Sequence, residues 1–186
     1  MDGIIEKYFE DWTKEKEATA ARISIFERIR DIPYKIVPEL RNRETGPALL
    51  LQGMTGSCTP KHHLLYLMFN MLGIETRLVT YPFLWNDPAV EMPPKIRELA
   101  KAAPIEYHLA CHAKIDDKWT RIDATWDLPL GKVGFPVNRR WNGRDDTMIA
   151  VIHIDEIVHK DPSDKDAFVA EMKGKYSNQD HENAAV

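Results

Sequence analysis

GSCTPKHHLLYLMFNMLGIETR, residues 56–77, is the stretch that decides the fold of this chain. From His62 to Leu72 nearly every position is apolar, and the run stops at Gly73. Pro60 suits a first helical turn, where its missing N–H is not needed, and Gly73 suits the left-handed residue that closes a helix. A helix apolar almost all round belongs in the middle of a core rather than on its surface. Cys58 then stands at the amino end of that helix, approached through Gly53 and Gly56. Unpaired N–H groups and the positive end of the helix dipole favour a thiolate there. A cysteine taken alone is more often one more small buried residue. The helix-start position and the glycine-rich approach weigh against that reading here.

Working outward, residues 74–81 (IETRLVTY) read as a strand, and residues 107–115 and 119–125 as two strands of a hairpin turning at Asp116-Asp117. Upstream, residues 2–30 have helical character in two apolar sets: Ile4, Ile5, Tyr8, Phe9 and Trp12, then Ala21, Ile23, Ile25, Phe26 and Ile29. Pro33 ends this part. Residues 35–57, punctuated by Pro38, Gly46, Pro47, Gly53 and Gly56, read as irregular. Residues 82–105 carry five of the twelve prolines around a short helical piece at 95–102, as an insertion over a site would. Residues 135–144 read as a loop, 148–154 as a last strand and 167–175 as a short helix. The expected organisation is α+β in one domain over residues 1–176, with a helical part at 1–35, a core at 36–155 and a disordered polar tail at 177–186.

The 186 residues carry a net charge of −4, with 44% hydrophobic and 29% charged residues, an ordinary globular composition. No basic footprint invites nucleic acid or an anionic membrane. Met1 leads into charged sequence, and no apolar stretch reaches the roughly 18 residues of a spanning helix, so a cytoplasmic protein is expected. Cys58 and Cys111 are the only cysteines and make no disulfide framework.

A nucleophilic thiolate needs a base, and the hairpin offers His108 and His112. A two-residue turn at Asp116-Asp117 pairs His108 with Thr125 and leaves Asp123 as its diagonal neighbour on the same face. A turn shifted one residue earlier puts Asp123 directly opposite His108. His112 faces Arg121 or Trp119 instead, so only His108 has a carboxylate to fix its tautomer and stabilise its imidazolium. An isolated His–Asp pair is more often a surface contact of little consequence. A helix-start cysteine upstream reverses the odds. A metal is not expected: Cys58 and His62 are four apart on a helix, but His108 and His112 lie roughly 13 Å apart along a strand and cannot share one ion. No tight Cys-x-x-Cys or His-Glu-x-x-His motif is present.

Three stretches together resemble the transglutaminase-like superfamily: GSCTP with its apolar helix and GIETR, YHLACHAKI, and KWTRIDATW. Cys58, His108, Trp119 and Asp123 match the family's helix-start Cys, strand His, and Asp preceded by a Trp, and the 15-residue His-to-Asp interval fits. The likeness spans about residues 20–127. It implies a papain-like core with the Cys helix packed on an antiparallel sheet, and Cys58, His108 and Asp123 as a catalytic triad. The chain departs from many members at Ala110, where they carry Trp, and it resembles the bare catalytic core without the extra β domains and calcium sites of the large cross-linking enzymes. Gln52 resembles the oxyanion glutamine of papain-like proteases; the competing reading is an exposed loop glutamine. Tyr107, Trp85, Trp126 and Trp141 either line an acyl pocket or fill the core.

The chemistry implied is acyl transfer or hydrolysis at a peptide-like or small amide bond through a thioester, with no cofactor. Hydrolase and transferase differ only in which nucleophile reaches the thioester first, and sequence does not separate them. An arylamine N-acetyltransferase-like activity shares the triad logic, but no phosphate-cradling loop supports an acetyl-CoA site. The rival of another class is a binding module that kept this fold without the chemistry.

Overall fold

The computed structural model describes residues 3–88, 91 and 94–183. The two apolar sets near the amino end form two helices, α1 (Ile4–Thr13) and α2 (Ala18–Arg30). The chain reverses between them with Glu15 at φ 56°, and Ser24 Oγ donates to the Trp12 carbonyl across the bend at 2.7 Å.

The expectation of irregular chain over residues 35–57 is corrected. A 3₁₀ turn, Pro38–Arg41, leads into α3 (Gly46–Gly53). The prolines here start helical turns rather than prevent them, because each stands in a first turn where no N–H is required. Gly46 is obligatory for packing: a Cβ there would run into the Leu40 carbonyl.

Helix α4 (Cys58–Met71) is the central helix read from the sequence. Leu64, Leu65, Met68 and Phe69 are fully buried. They share one core with Ile25, Phe26 and Ile29 of α2 and with Leu78, Leu109, Cys111 and Ala113 of the sheet. Gly73 follows the helix at φ 74°, the left-handed closing position anticipated for it.

After α4 come β1 (Thr76–Phe83), α5 (Pro94–Lys101), β2 (Glu106–Ile115) and β3 (Lys118–Ile122). With β4 (Ile157–Val158) they make an antiparallel sheet of order β3-β2-β1-β4, and the α+β architecture holds. Ile115 pairs with Lys118, so the hairpin turns in two residues and Asp123 lies diagonal to His108. Pairing between β2 and β3 ends at Cys111 and Ile122. Beyond that point β2 runs on to Glu106 without β3 beside it.

Residues 148–154, expected as a strand, are corrected too: they form an extended loop with one bridge, His153 to Phe83, and the strand is the two-residue β4 further on. Their backbone groups are engaged elsewhere. The Met148 N–H donates to Asn138 Oδ1 at 2.9 Å, the Ala150 N–H donates to Asp123 Oδ2 at 2.8 Å, and the Ala150 carbonyl accepts from Trp126 Nε1 at 2.9 Å. The last helix, α6 (Pro162–Asn183), begins earlier and runs further than the expected 167–175. Its start is set by Asp161, whose carboxylate accepts the Ser163 N–H while Asp164 accepts the Asp161 N–H. Of the expected tail, residues 184–186 lie outside the described residues, and 177–183 are helical. Among the described residues no helix is long and apolar enough to cross a membrane.

Asp116 and Asp117 both have positive φ, 49° and 61°, the geometry of a type I′ turn, which favours glycine at its second position. Asp117 is fully exposed and its one ion pair, with Lys114, is long at 4.0 Å. Asp117→Gly therefore raises the stability by up to about 1 kcal/mol, read as a higher midpoint in thermal or urea unfolding.

Candidate active site

Cys58 is placed by the chain that leads into α4. Gly56 bridges to Tyr34: its carbonyl accepts the Lys35 N–H at 3.2 Å and its N–H donates to the Pro33 carbonyl at 3.1 Å. A Cβ on Gly56 would run into Leu50 and meet Pro60 Cγ at 3.1 Å, so only glycine brings the chain in this closely. Ser57, the N-cap residue, is extended, and its side chain makes no capping bond. Cys58 is thus the first helical residue, among N–H groups with no partner inside the helix.

His108 and Asp123 stand next to it. His108 Nε2 lies 2.7 Å from Asp123 Oδ2, with both side chains buried. The same Oδ2 accepts the Ala150 N–H, and Oδ1 accepts the Thr125 N–H at 3.0 Å. With Nε2 given to Asp123, Nδ1 is the nitrogen left for the Cys58 sulfur, which lines the same cleft.

The electrostatics agree with that arrangement. Burial alone would push the Cys58 thiol up, but the bond to His108 and its charge, the Leu109 N–H and the Thr59 hydroxyl together hold it below its ordinary value. Burial would likewise lower His108, and it is overcome by the Asp123 carboxylate and the Cys58 sulfur, which push the imidazole up to about 10. Asp123, despite burial, is held well below the usual carboxylate range by His108, with His62 and Thr125 adding to the effect. The shifts run in the directions that favour an ionised sulfur, a charged imidazole and an ionised carboxyl.

Other residues fall where sequence did not put them. Gln52 is exposed on the last turn of α3 and does not line the cleft, so the reading as an exposed glutamine is the one the geometry follows. Trp141 is core: it packs on Phe26 at 5.1 Å and Phe69 at 6.2 Å between centroids, and its Nε1 donates to the Asp145 carbonyl. Tyr107, Trp85 and Trp126 do line the cleft beside Cys58 and His108, a space of about 370 Å³. Tyr34 and Phe83 add two more aromatic walls, and Lys165, Asp166 and Val169 of α6 close a side. His112 is turned away, with Nε2 3.2 Å from Tyr81 Oη and 3.7 Å from Glu156. Cys111 is fully buried, with its thiol pushed well up by burial and Sγ directed at the His62 carbonyl at 3.4 Å.

Sequence reasoning missed two charged or polar neighbours on α4, Lys61 and His62, both 0% exposed. Their signal was present: polar residues one turn beyond Cys58 in a helix otherwise made for the core.

The pattern of the Transglutaminase-like superfamily matches residues 7–124. The chain belongs to the transglutaminase-like superfamily. At the level of the family this supports a cysteine-dependent enzyme. No curated protein sequence matches the chain. Among solved structures, a Cytophaga hutchinsonii chain provisionally called a cysteine protease shares 21% identity (TM-score 0.46), over 70% of this chain and 39% of that one. A Parabacteroides distasonis chain provisionally called a protease shares 16% (TM-score 0.43), over 67% of this chain and 24% of that one. A TGase shares 14% (TM-score 0.47), over 68% of this chain and 32% of that one. This transglutaminase-like chain spans well under half the length of each, and none of these likenesses bears on its substrate.

Two expectations follow. Thiolate absorbance at 240 nm, taken as the difference from Cys58→Ser, is present in the wild type at neutral pH; in His108→Ala the Cys58 titration returns toward about 8.5. The second concerns His63, which is 2% exposed and has no hydrogen-bond partner for either ring nitrogen; burial, with Lys165 adding to it, pushes its pKa down to about 3. Unfolded, it titrates near 6.5. A depressed histidine binds fewer protons folded than unfolded, so its neutral burial destabilises as pH falls from about 6.5 toward 3. His63→Leu reduces the acid-side slope of stability against pH by roughly 1.4 kcal/mol per unit, read from urea unfolding across that range.

Proposed function

We propose that this chain cleaves or transfers an acyl group at a peptide-like or small amide bond, with Cys58 as nucleophile, His108 as acid and base, and Asp123 as its orienting partner. The observation that carries the reading is the thiol at a helix start beside an imidazole that is itself held 2.7 Å from a buried carboxylate.

In the first step the Cys58 thiolate adds to the amide carbonyl carbon, forming a C–S bond and an oxyanion. The backbone N–H of Cys58, which has no partner within α4, would donate to that oxyanion; such a donor contributes roughly 3 kcal/mol. Gln52, exposed and outside the cleft, does not share this role. As the tetrahedral species collapses, the C–N bond breaks and imidazolium His108 gives its proton to the departing amine. A water or amine, giving its proton to His108, then attacks the thioester and releases the thiolate. Asp123 stays ionised throughout and stabilises the imidazolium. The ring of Tyr34, Phe83, Trp85, Tyr107 and Trp126 favours an apolar or aromatic acyl group over a charged one.

Iodoacetamide at neutral pH labels wild-type protein at Cys58, and Cys58→Ala abolishes the labelling, because Cys111 is buried and held protonated. Peptide mass mapping decides the matter: modification at Cys111 alone, or no modification of native protein, defeats the proposal and favours a binding module. In a panel of fluorogenic amides, those with aromatic acyl groups turn over best, and Trp126→Ala raises their KM by about tenfold, the scale of one lost aromatic contact.

A further inference from the structure

The chemistry above uses neither Lys61 nor His62, yet both are wholly buried in the turn that follows Cys58. Burying such groups is costly unless their bonds are made, and here every bond runs to the backbone around the site. His62 Nε2 lies 3.0 Å from the Ala124 N–H and Nδ1 lies 2.9 Å from the Cys58 carbonyl. A backbone N–H can only donate, so Nε2 is the bare nitrogen and Nδ1 carries the proton, which it donates to the Cys58 carbonyl. Burial above all holds this imidazole neutral, down to about 4, against the pull of Asp123, whose Oδ1 lies 3.6 Å away. Lys61 Nζ donates to the carbonyls of Arg30 at 3.0 Å and Thr125 at 2.8 Å. Burial pushes its amine down to about 7, and the neutral form still has two N–H groups for those two carbonyls.

These bonds meet at one place. His62 takes hold of residue 124 by its N–H, and Lys61 takes hold of residue 125 by its carbonyl. Asp123, the next residue back, is the one that grips His108. The sheet cannot set this spacing, because β3 is paired only as far as Ile122. We propose that Lys61 and His62 are positioning residues, a two-point clamp that fastens the cysteine turn of α4 to residues 124–125 and thereby sets the distance between the Cys58 sulfur and the His108 imidazole. This rests on the acyl-transfer reading of the site. Neither side chain touches the cleft, so the clamp acts through Cys58, His108 and Asp123 alone.

The test is the pH profile of iodoacetamide alkylation at Cys58, with 240 nm absorbance as a second readout, in Lys61→Met and His62→Gln, which keep most of the volume, and in Lys61→Ala with and without ethylamine. Leu65→Ala, one turn further along α4, is the control that lowers stability without touching the clamp. In the clamp variants the apparent pKa of Cys58 moves at least one unit toward about 8.5 and alkylation at pH 6.5 slows tenfold or more, while the control keeps the wild-type profile. Ethylamine restores the rate in Lys61→Ala by refilling the vacated amine site. If Lys61→Met and His62→Gln keep the wild-type profile and lose only stability, or if Leu65→Ala shifts it equally, the clamp is refuted and the two residues are structural. If a variant does not fold, the ethylamine arm decides: no recovery of alkylation with the amine counts against the clamp. A wild-type Cys58 that titrates near 8.5 would instead refute the triad itself, an outcome separate from both.

Discussion

The buried carboxylate of Asp123 is the constraint around which the rest of this molecule is arranged. At 2% exposure, an unpaired carboxylate would cost several kcal/mol. It is matched on every side: His108 Nε2, the Ala150 N–H and the Thr125 N–H all donate to it. Each donor comes from a different stretch of chain, so the charge draws β2, the loop after β3 and the 147–151 segment to one point. That explains two features that otherwise look unrelated. β3 leaves the sheet at Ile122 because the next residue turns to meet His108, and residues 148–151 stay out of the sheet because the N–H and carbonyl groups of Met148 and Ala150 are already taken by Asp123, Asn138 and Trp126.

The same requirement marks which parts of the fold were legible in the sequence. Helix α4 and the β2–β3 hairpin could be read because their signals are local: an apolar run between Pro60 and Gly73, and two alternating strands about a pair of aspartates. The facing of His108 toward Asp123 followed from register alone. What could not be read depends on partners far away in the chain. Gly46 and Pro47 look like loop punctuation until Leu40 is seen packed against them, with Pro47 in a helical first turn. Residues 148–154 have a strand's composition, but Asp123, Trp126 and Asn138, all distant in the chain, take the bonds of Met148 and Ala150. Gln52 and Trp141 were both plausible site residues by type, and only tertiary packing shows one in solvent and the other against Phe26 and Phe69.

Helix α4 carries an inconsistency of its own. Lys61, His62 and His63 follow one another at full or nearly full burial in a helix whose other inner positions are Leu, Met and Phe. A core helix built only for stability would place apolar residues there. The first two are satisfied by backbone groups of the site, and that satisfaction accounts for them. His63 is different: neither ring nitrogen has a hydrogen-bond partner.

The groups proposed to bear the chemistry and the walls that would choose a substrate come from different kinds of structure. Cys58, His108 and Asp123 lie at a helix start, on a strand and just past a strand end, all within the residues 7–124 that match the family. Thr125, Trp126, Val151, Lys165, Asp166 and Val169 line the same cleft from beyond that block, on loops and on α6. Phe168 of α6 packs edge-on against Tyr107 at 5.6 Å, tying that outer wall to β2 one residue before His108. A change in α6 would reshape the cleft through Tyr107 and its neighbours while leaving the bonds to Asp123 untouched. For the proposed reaction, selectivity can therefore vary through α6 without disturbing the bonds that hold Asp123, none of which comes from that helix.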